Sequence, residues 1–523
     1  MKIKRTLYRS ALVATALVFG MSVQAIAQTA ADKGTLVIGK SGDPDNLDPA
    51  FTTTNNSWTA VYPAYQRLVK FKIVSGKGTT DIEPELATSW QVAPDGLTYT
   101  FKLATGNRFA DGAAVDAQAV KQSFERTLKI AKGPAGAFGK GAIDSIEAPD
   151  KQTVRFKLKT PFAPFLSALA GNAGSVVSPA VMQFEVNGDM GQAHLATRSM
   201  GSGAYQVESW EKGQQIVLVP NPNFQGRKPE LQKIVIKIIK EASARRLQLE
   251  KGDLDIAEDI PLDQMAAMKR APGVSVFDQP SFLVTYLYLN NQRPPLNDVR
   301  VRQALSYAID YDSIVQGVLL GQGVQMRGAI PVGMWGHDPK GMQYNLDVKK
   351  SQDLLKAAGV SQLSLNYLYS ATDPNWQPLG LVVQQQLAKV GVKVNLEQNA
   401  SPTMRGRLDK GEFDIAVGNW SPDVGDPSQF MNFWFDSSRH GLPGNRAFYK
   451  NAKVDALVRE ASESVDQEKR ARLYGEAQKI AVEEAPYVLL FQKNYQFAMR
   501  SNIKGYIYNP MLLQIWNFAE MSK

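Results

Sequence analysis

Apolar and polar residues alternate with two different periods along this chain, and the two periods predict alternating strands and helices. In LTYTFKL (97–103) every second residue is apolar, which predicts a strand with one buried face. Behind Asp116, apolar residues recur at every fourth position and predict an N-capped helix: Val120, Phe124 and Leu128. Because such segments recur over most of the sequence, the pattern predicts an α/β protein.

The later half of the chain predicts a β-α-β-α-β order. The predicted strands are LSLNYLY (363–369), VKVNLEQ (392–398) and FDIAVGNW (413–420), with helical periodicity between them at 379–390 and 404–411. This order favours a mainly parallel sheet, in which ligands bind beyond the carboxyl ends of the strands. The turn-rich segment NWSPDVGDP (419–427) begins at such an end.

The first 27 residues predict a secretory signal peptide. Four basic residues precede a largely apolar stretch of about 13 residues, and AIA (25–27) fits a small-x-small cleavage site. This stretch is shorter than the roughly 20 residues that a transmembrane helix needs. Since the chain has no cysteine, it has neither a lipid-attachment thiol nor a disulfide. We therefore expect a soluble periplasmic protein that begins near Gln28.

Composition matters here mainly for the functions that it excludes. The formal net charge of +9 falls to +5 without the predicted signal peptide, and acidic and basic residues are interspersed along the rest. This predicts a mixed solvated surface and no nucleic-acid partner. The length of 523 residues suggests two or three domains. We expect a monomer without a cofactor.

The sequence carries no strong motif for catalysis or metal binding. GTLVIGKS (34–41) fits the P-loop pattern, but its middle residues predict a strand where a P-loop needs a phosphate-wrapping loop. The three histidines, His194, His337 and His440, share no ligand spacing, and no G-x-S-x-G nucleophile elbow occurs. We therefore expect no catalytic residue and no metal site.

Asp423 and Asp426 are the remaining candidates for chemistry. Two carboxylates could serve a glycosidase, although a turn fixes no separation between them. A calcium loop would need more oxygen ligands. An aspartate near Gly425 and before Pro427 is also ordinary turn chemistry. From spacing alone, a turn role and a ligand-binding role both stay open.

Seven segments of the chain have an order and spacing that resemble a known family. They are EPELATSWQVAPDGLTYTFKL (83–103), GSGAYQVESW (201–210), LEKGDLDIAEDIP (249–261), NDVRVRQALSYAID (297–310), IPVGMWG (330–336), LAKVGVKV (387–394) and NWSPDVGDP (419–427). Together they resemble the dipeptide/oligopeptide-binding family of extracytoplasmic solute-binding proteins over essentially the whole mature chain. The resemblance implies a receptor that delivers its ligand to the membrane subunits of an ABC importer and is not an enzyme.

The resemblance also implies a two-lobed, periplasmic-binding-protein-like α/β fold with a cleft between the lobes. The first lobe would comprise residues 28–284 and 491–523, with an extra subdomain at about 70–190, and the second lobe residues 285–490. The chain would cross between the lobes near 279–291 and 488–499. Two crossings favour a hinge, by which the lobes close over the ligand.

In peptide-binding relatives, the Asp of a W-x-x-D segment pairs with the α-ammonium group of the ligand. Trp420-Ser421-Pro422-Asp423 fits this pattern, so the resemblance implies Asp423 as the ammonium anchor and Trp420 as the wall beside it. Asp426 is then a structural turn residue. The other residues that we expect to bind ligand are Asn419, Asn56, Ser57, Trp58, Ser370 and Arg439.

The chain departs from close dipeptide-binding relatives at the position that clamps the peptide carboxylate. Those relatives carry an Arg just after the strand matching LSLNYLY, whereas this chain has Ser370 or Ala371 at about that position and no Arg or Lys within 361–386. Arg439 and Arg446, in the polar loop SSRHGLPGNRAF (437–448), could reach a ligand carboxylate after closure, and a role as solvated loop residues also stays open. We therefore expect a peptide or peptide-like amine as ligand. The alternatives are a non-peptide solute such as an opine, sugar, haem or metal chelate and, less favoured, a secreted acid-dependent hydrolase.

Overall fold

The computed structural model of this protein describes residues 34–139, 141–371, 373, 375–511 and 515–523. The predicted signal peptide, residues 1–27, lies outside the described residues. Within these ranges, none of the helices combines the length and the apolar character that crossing a membrane requires.

Strands and helices alternate through most of the described chain, as the hydrophobic pattern predicts. The strands are β1 Thr35–Lys40, β2 Val69–Val74, β3 Lys77–Pro84, β4 Ala87–Val92, β5 Thr98–Leu103, β6 Ile143–Asp150, β7 Thr153–Leu158, β8 Tyr205–Glu211, β9 Gln215–Pro220, β10 Lys233–Ile238, β11 Ile256–Ala257, β12 Val274–Leu289, β13 Gly323–Gln325, β14 Leu363–Ser370, β15 Val392–Asn399, β16 Ile415–Trp420 and β17 Tyr487–Arg500. The helices are α1 Asn55–Val61, α2 Ala117–Ile130, α3 Phe165–Ala170, α4 Gln192–Leu195, α5 Ala242–Lys251, α6 Leu262–Met268, α7 Val299–Tyr307, α8 Tyr311–Gly317, α9 Val348–Ala357, α10 Trp376–Ala388, α11 Ser401–Lys410, α12 Ser428–Phe435, α13 Ala452–Glu463 and α14 Gln467–Glu484.

One large mixed sheet runs through the molecule in the order β15-β14-β16-β12-β17-β11-β1-β10-β9-β8. Within it, β14 pairs in parallel with both β15 and β16, which confirms the parallel arrangement predicted for the later half. β16 pairs on its other side with β12 in the antiparallel direction. The carboxyl end of β16 is Trp420, so the segment NWSPDVGDP leaves the sheet at the edge where a ligand is expected.

Two long antiparallel strands, β12 and β17, occupy the segments where the chain is predicted to cross between the lobes. Their pairing runs from Val274 opposite Arg500 to Tyr288 opposite Tyr487, with a register shift between Pro280 and Val284. At the shift, the side-chain amide of Gln492 donates to the carbonyl of Ser281 at 2.7 Å. This bond satisfies a carbonyl beside the irregular pairing. The exact division into lobes stays a prediction.

Local sequence signals account for several of these elements. β5 buries Tyr99, Phe101 and Leu103 along one face, as the alternation predicts. The Asp116 side chain accepts a hydrogen bond from the amide of Ala119 and begins α2. The P-loop-like segment forms β1, so its rejection as a phosphate loop is confirmed.

The predicted extra subdomain packs directly against the predicted second lobe. Its four-stranded sheet, β4-β5-β7-β6, is covered by α2 and α3 through edge-to-face aromatic pairs such as Phe124 with Phe156. These rings belong to the same hydrophobic cluster as Phe430 and Trp434 of α12. In this structure the two parts are therefore in contact.

Candidate ligand-binding site

A cavity of about 840 Å³ lies beyond the carboxyl end of β16. Its wall on the side of the predicted first lobe includes Thr53, Asn55, Trp58, Phe162 and Asn172. Its wall on the side of the predicted second lobe includes Trp420, Ser421, Asp423, Gln429, Phe433 and Arg439. Aromatic rings with a few polar groups are the composition typical of small-molecule sites.

The loop after β16 is held in place by its second aspartate. The Asp426 carboxylate accepts a hydrogen bond from Arg470 at 2.8 Å and another from the amide of Ser428 at 2.9 Å, and both charged side chains are buried. Gly425 permits a close approach, because a Cβ there would lie 2.9 Å from the ring of Phe71. Asp426 is thus structural, as predicted, and its partner is an arginine 44 residues away.

Asp423 has the opposite environment within the same loop. Its backbone amide donates to the side-chain oxygen of Gln429 at 3.2 Å, whereas its carboxylate has no hydrogen bond or ion pair among the described residues. The side chain is exposed on the cavity side, while the surrounding protein removes part of its hydration. This desolvation raises the pKa of Asp423 to about 6.

Trp420 forms the wall beside Asp423. Its ring stacks on Phe433 at a centroid distance of 4.3 Å and an interplanar angle of 17°. The guanidinium of Arg446 lies over the Phe433 ring at 5.6 Å and donates to the hydroxyl of Tyr288 at 3.1 Å. Arg446 therefore supports the wall and does not line the cavity, whereas Arg439 lines it.

The start of α1 supplies part of the opposite wall. Trp58 lines the cavity as predicted, whereas Ser57 is fully buried and Asn56 does not line it. The Ser57 hydroxyl donates to the Asp45 carboxylate at 2.6 Å, and the hydroxyl of Thr54, the N-cap of α1, donates to the same oxygen at 3.0 Å. Ser57 thus stabilises the helix end, and this internal bond accounts for its position outside the cavity.

Two other predicted residues also lie outside the cavity lining. Asn419 belongs to β16, and its side-chain amide donates to the carboxylate of Asp373 at 3.4 Å. Ser370 is the last residue of β14 and is 2 % exposed. Of the eight predicted residues, Trp58, Trp420, Asp423 and Arg439 therefore come together around one cavity. Their contact with a ligand stays a prediction.

Several lining residues were not found from the sequence. Asn172 lies in a short 3-10 helix after α3, where Gly174 is required because a Cβ would lie 2.0 Å from the carbonyl oxygen of Leu169. In the part of the chain that the structure describes, Asn172 Oδ1 and Trp420 Nε1 are buried without a hydrogen-bond partner. The sequence G-N-A-G (171–174) after the apolar helix α3 indicates a turn, but nothing in the neighbouring sequence indicates that this turn lies near the loop after β16.

Comparison with known proteins agrees with this architecture. Residues 81–441 match the family described as bacterial extracellular solute-binding proteins, family 5 Middle. The chain is 51% identical to the probable D,D-dipeptide-binding periplasmic protein DdpA of Escherichia coli (strain K12), over 95% of this chain and 96% of that protein. It is 30% identical to heme-binding protein A of Haemophilus influenzae, over 98% and 97% of the two chains.

A solved structure is similar over nearly the same length. The periplasmic binding protein DppA from Helicobacter pylori, in complex with the peptide STSA, is 30% identical with a TM-score of 0.79, covering 94% of this chain and 98% of that one. The predicted two-lobed fold class and the extracytoplasmic, periplasmic location are confirmed by these matches. The resemblance inferred from the seven segments is confirmed as well: the chain belongs to family 5 of the bacterial extracellular solute-binding proteins.

Proposed function

We propose that this protein captures a short peptide in the cavity beyond β16 and delivers it unchanged to the membrane subunits of an ABC importer. The observation that carries the proposal is the carboxylate of Asp423, which the described chain leaves without a partner inside an enclosed, aromatic cavity. The names of the relatives support it, since DdpA is described as binding D,D-dipeptides and H. pylori DppA was crystallised with a peptide.

A peptide's α-ammonium group is a suitable partner for Asp423. An ionised acceptor in a cavity forms a charge-assisted hydrogen bond of about 1.5–3 kcal/mol with a cation. Because the surrounding protein already removes part of the hydration of Asp423, an uncharged group beside it would leave this carboxylate without compensation. Trp420 adds an aromatic face beside the ammonium group.

Binding, and not catalysis, is the activity that this arrangement supports. Among the described residues that line the cavity, Asp423 is the only carboxylate, and its neighbour Asp426 is bound to Arg470. A glycosidase needs two carboxyl groups across its substrate, so the acid-pair alternative lacks its second acid in this cavity. The protein would act as a monomer, without a cofactor and without a nucleic-acid partner.

Closure over the ligand follows from contacts between the two walls. The amide of Ala163 donates to the carbonyl of Ser462 at 2.9 Å, and a Cβ on Gly171 would lie 3.4 Å from the carbonyl oxygen of Asp423. A ligand that touches both walls favours this closed arrangement over an open one. The importer can then distinguish loaded from empty receptor.

Calorimetric titration of the mature protein with a small panel tests the proposal. The panel contains D-alanyl-D-alanine, L-alanyl-L-alanine and Ser-Thr-Ser-Ala, and each peptide is also titrated in N-acetylated form. We expect at least one free peptide to bind and to raise the melting temperature, and its acetylated form to bind at least about tenfold more weakly. Native mass spectrometry of the purified protein reveals any occupant carried from the cell. An occupant without an amine, absence of peptide binding, or hydrolysis of a bound peptide would refute the proposal.

A further inference from the structure

Arg439 is the one cationic side chain among the described residues that line the cavity. We propose that Arg439 binds the carboxylate of the ligand and makes the receptor selective for peptides with a free C-terminus. This inference rests on the proposed function, because it concerns the other end of the same ligand. The cavity would then recognise a zwitterion, with Asp423 at one end and Arg439 at the other.

The charge of Arg439 is not used by the described part of the chain. Its guanidinium forms no ion pair and no hydrogen bond there. Two aspartates, Asp436 and Asp455, nevertheless contact the short 3-10 helix that carries it. Asp436 is bound by Arg459 at 2.6 Å, and Asp455 accepts from the amide of Ser437 at 2.8 Å. Since these acids already have partners, the positive charge of Arg439 is free for an anion from outside the chain.

The backbone that carries Arg439 is firmly held, so the guanidinium starts from a fixed position. Ser437–Arg439 is a short 3-10 helix capped by the Asp436 side chain, which accepts from the amide of Ser438 at 2.9 Å. The carbonyl of Arg439 accepts from the amide of Asn445 at 2.8 Å, and the Asn445 side chain donates to the carbonyl of Tyr449 at 2.8 Å. A fixed backbone reduces the ordering cost of binding, which then falls mainly on one side chain.

Arg446, the other cation near the cavity, is not equivalent. Its guanidinium lies over Phe433, donates to the hydroxyl of Tyr288 and to the carbonyl of Leu442, and is half-buried behind the wall. A ligand in the cavity would meet the aromatic wall before it reached this group. Arginine is also well suited to the role proposed for Arg439, because its planar fork matches a carboxylate with two parallel hydrogen bonds.

The test combines a change in the ligand with a change in the protein. The ligand is the peptide of the panel that binds most tightly, used as the free acid and as its C-terminal amide, which retains the ammonium group but lacks the anion. The proteins are wild type, Arg439→Gln, Arg439→Lys and the matched control Arg472→Gln. Arg472 is an exposed arginine on α14 that does not line the cavity. Dissociation constants are measured by calorimetry at pH 7.

We expect wild type and Arg472→Gln to prefer the acid over the amide by about 10- to 100-fold. Arg439→Gln should bind the two forms within about twofold, and Arg439→Lys should retain part of the preference because it keeps the charge without the fork. Equal binding of acid and amide by wild type would overturn the inference and leave the proposed function standing. So would an unchanged preference in Arg439→Gln. If no peptide in the panel binds, the proposed function fails and this inference fails with it.

Discussion

The environment of Asp423 predicts that peptide affinity depends on pH in a range where an ordinary aspartate does not titrate. Burial raises the pKa of this carboxyl to about 6, whereas an ordinary aspartate has a pKa of 3.8. Only the ionised form attracts an ammonium group strongly. Binding below about pH 6 therefore requires the loss of a proton from Asp423, and affinity should fall as the pH is lowered.

The size of the effect follows from the fraction of ionised carboxyl in the empty protein. With a pKa of about 6, this fraction is about 91% at pH 7 and about 9% at pH 5, so the dissociation constant should rise about tenfold between them. With an ordinary aspartate pKa of 3.8, the same change of pH would alter the dissociation constant by less than about 10%. The α-ammonium group of the peptide stays mostly protonated between pH 5 and pH 7, and no histidine is among the described residues that line the cavity.

Calorimetric titrations from pH 5 to pH 7 measure this dependence directly. The variant Asp423→Asn has no titrating group at this position. It should bind about 10- to 100-fold more weakly than wild type at pH 7 and should show a flat profile. A wild-type dissociation constant that stays constant from pH 7 to pH 5 would refute the reasoning. A profile of unchanged shape in Asp423→Asn would assign the titration to another group.

The same shift has a consequence for the stability of the empty protein. Because the folded-state pKa of Asp423 is raised, this group contributes stability that is fully present below about pH 4 and is lost as the pH rises through about 6. Asp423→Asn should remove this part of the pH dependence of the unfolding midpoint in urea. Since the Asp423 side chain is exposed to the cavity, its contribution to the free energy of unfolding is smaller than that of a fully buried carboxyl group.

Three further predictions concern the loop and its surroundings. Asp426→Ala should lower the free energy of unfolding in urea by about 3–5 kcal/mol, because the buried charge of Arg470 would lose its partner. A loss below about 1 kcal/mol would contradict this prediction. In this cysteine-free chain, Gly96→Cys with Val465→Cys should form a disulfide that holds the closed arrangement, since a Cβ on Gly96 would lie 3.1 Å from Val465 Cγ1. Gly96 has a φ of 69°, so Gly96→Cys alone should lower the stability of the protein, which the single variant measures. Peptide association should then be slow until a reductant is added, with each single variant as control, and equally fast association of the oxidised protein would count against closure at this contact. Trp420→Phe should weaken peptide binding about 2- to 5-fold and reduce the ligand-induced change in tryptophan fluorescence, with the remaining change arising from Trp58 on the opposite wall. Unchanged affinity together with an unchanged fluorescence response would place the ligand away from Trp420.

The sequence predicts the individual strands and helices of this fold better than it predicts which of them pack against each other. β5 and β14 follow from alternating apolar residues, and α2 from its Asp116 cap, because each signal is local. The loop after β16 was located by the order of strands and helices, which fixes the edge of the sheet where it emerges. Its role depended on a family resemblance, because spacing alone left a turn and a binding role open.

What the sequence does not predict depends on long-range packing. Nothing near Asp426 indicates Arg470, and nothing near Asn172 indicates that it faces the same cavity as Asp423. Ser57 was expected to line the cleft, yet its hydroxyl binds Asp45, because an aspartate 12 residues earlier offers a better partner than the cavity does. Short polar residues next to a helix start have both options, and only the tertiary structure selects between them.

The two aspartates of NWSPDVGDP have different roles in one loop: Asp426 stabilises the loop, and Asp423 is the residue proposed to bind the ligand. Asp426 has its cation inside the chain, because Arg470 ties the loop to α14. Together with the contact of Gly425 and Phe71, this ion pair fixes the position of Asp423. Asp423 is then desolvated in advance and lacks a counter-charge in the described chain. Folding therefore creates an unfavourable charge environment, which a ligand cation relieves on binding. The rigidity supplied by Asp426 is what makes this relief specific, since a mobile loop would let Asp423 turn to bulk water and lose its preference for an ammonium group.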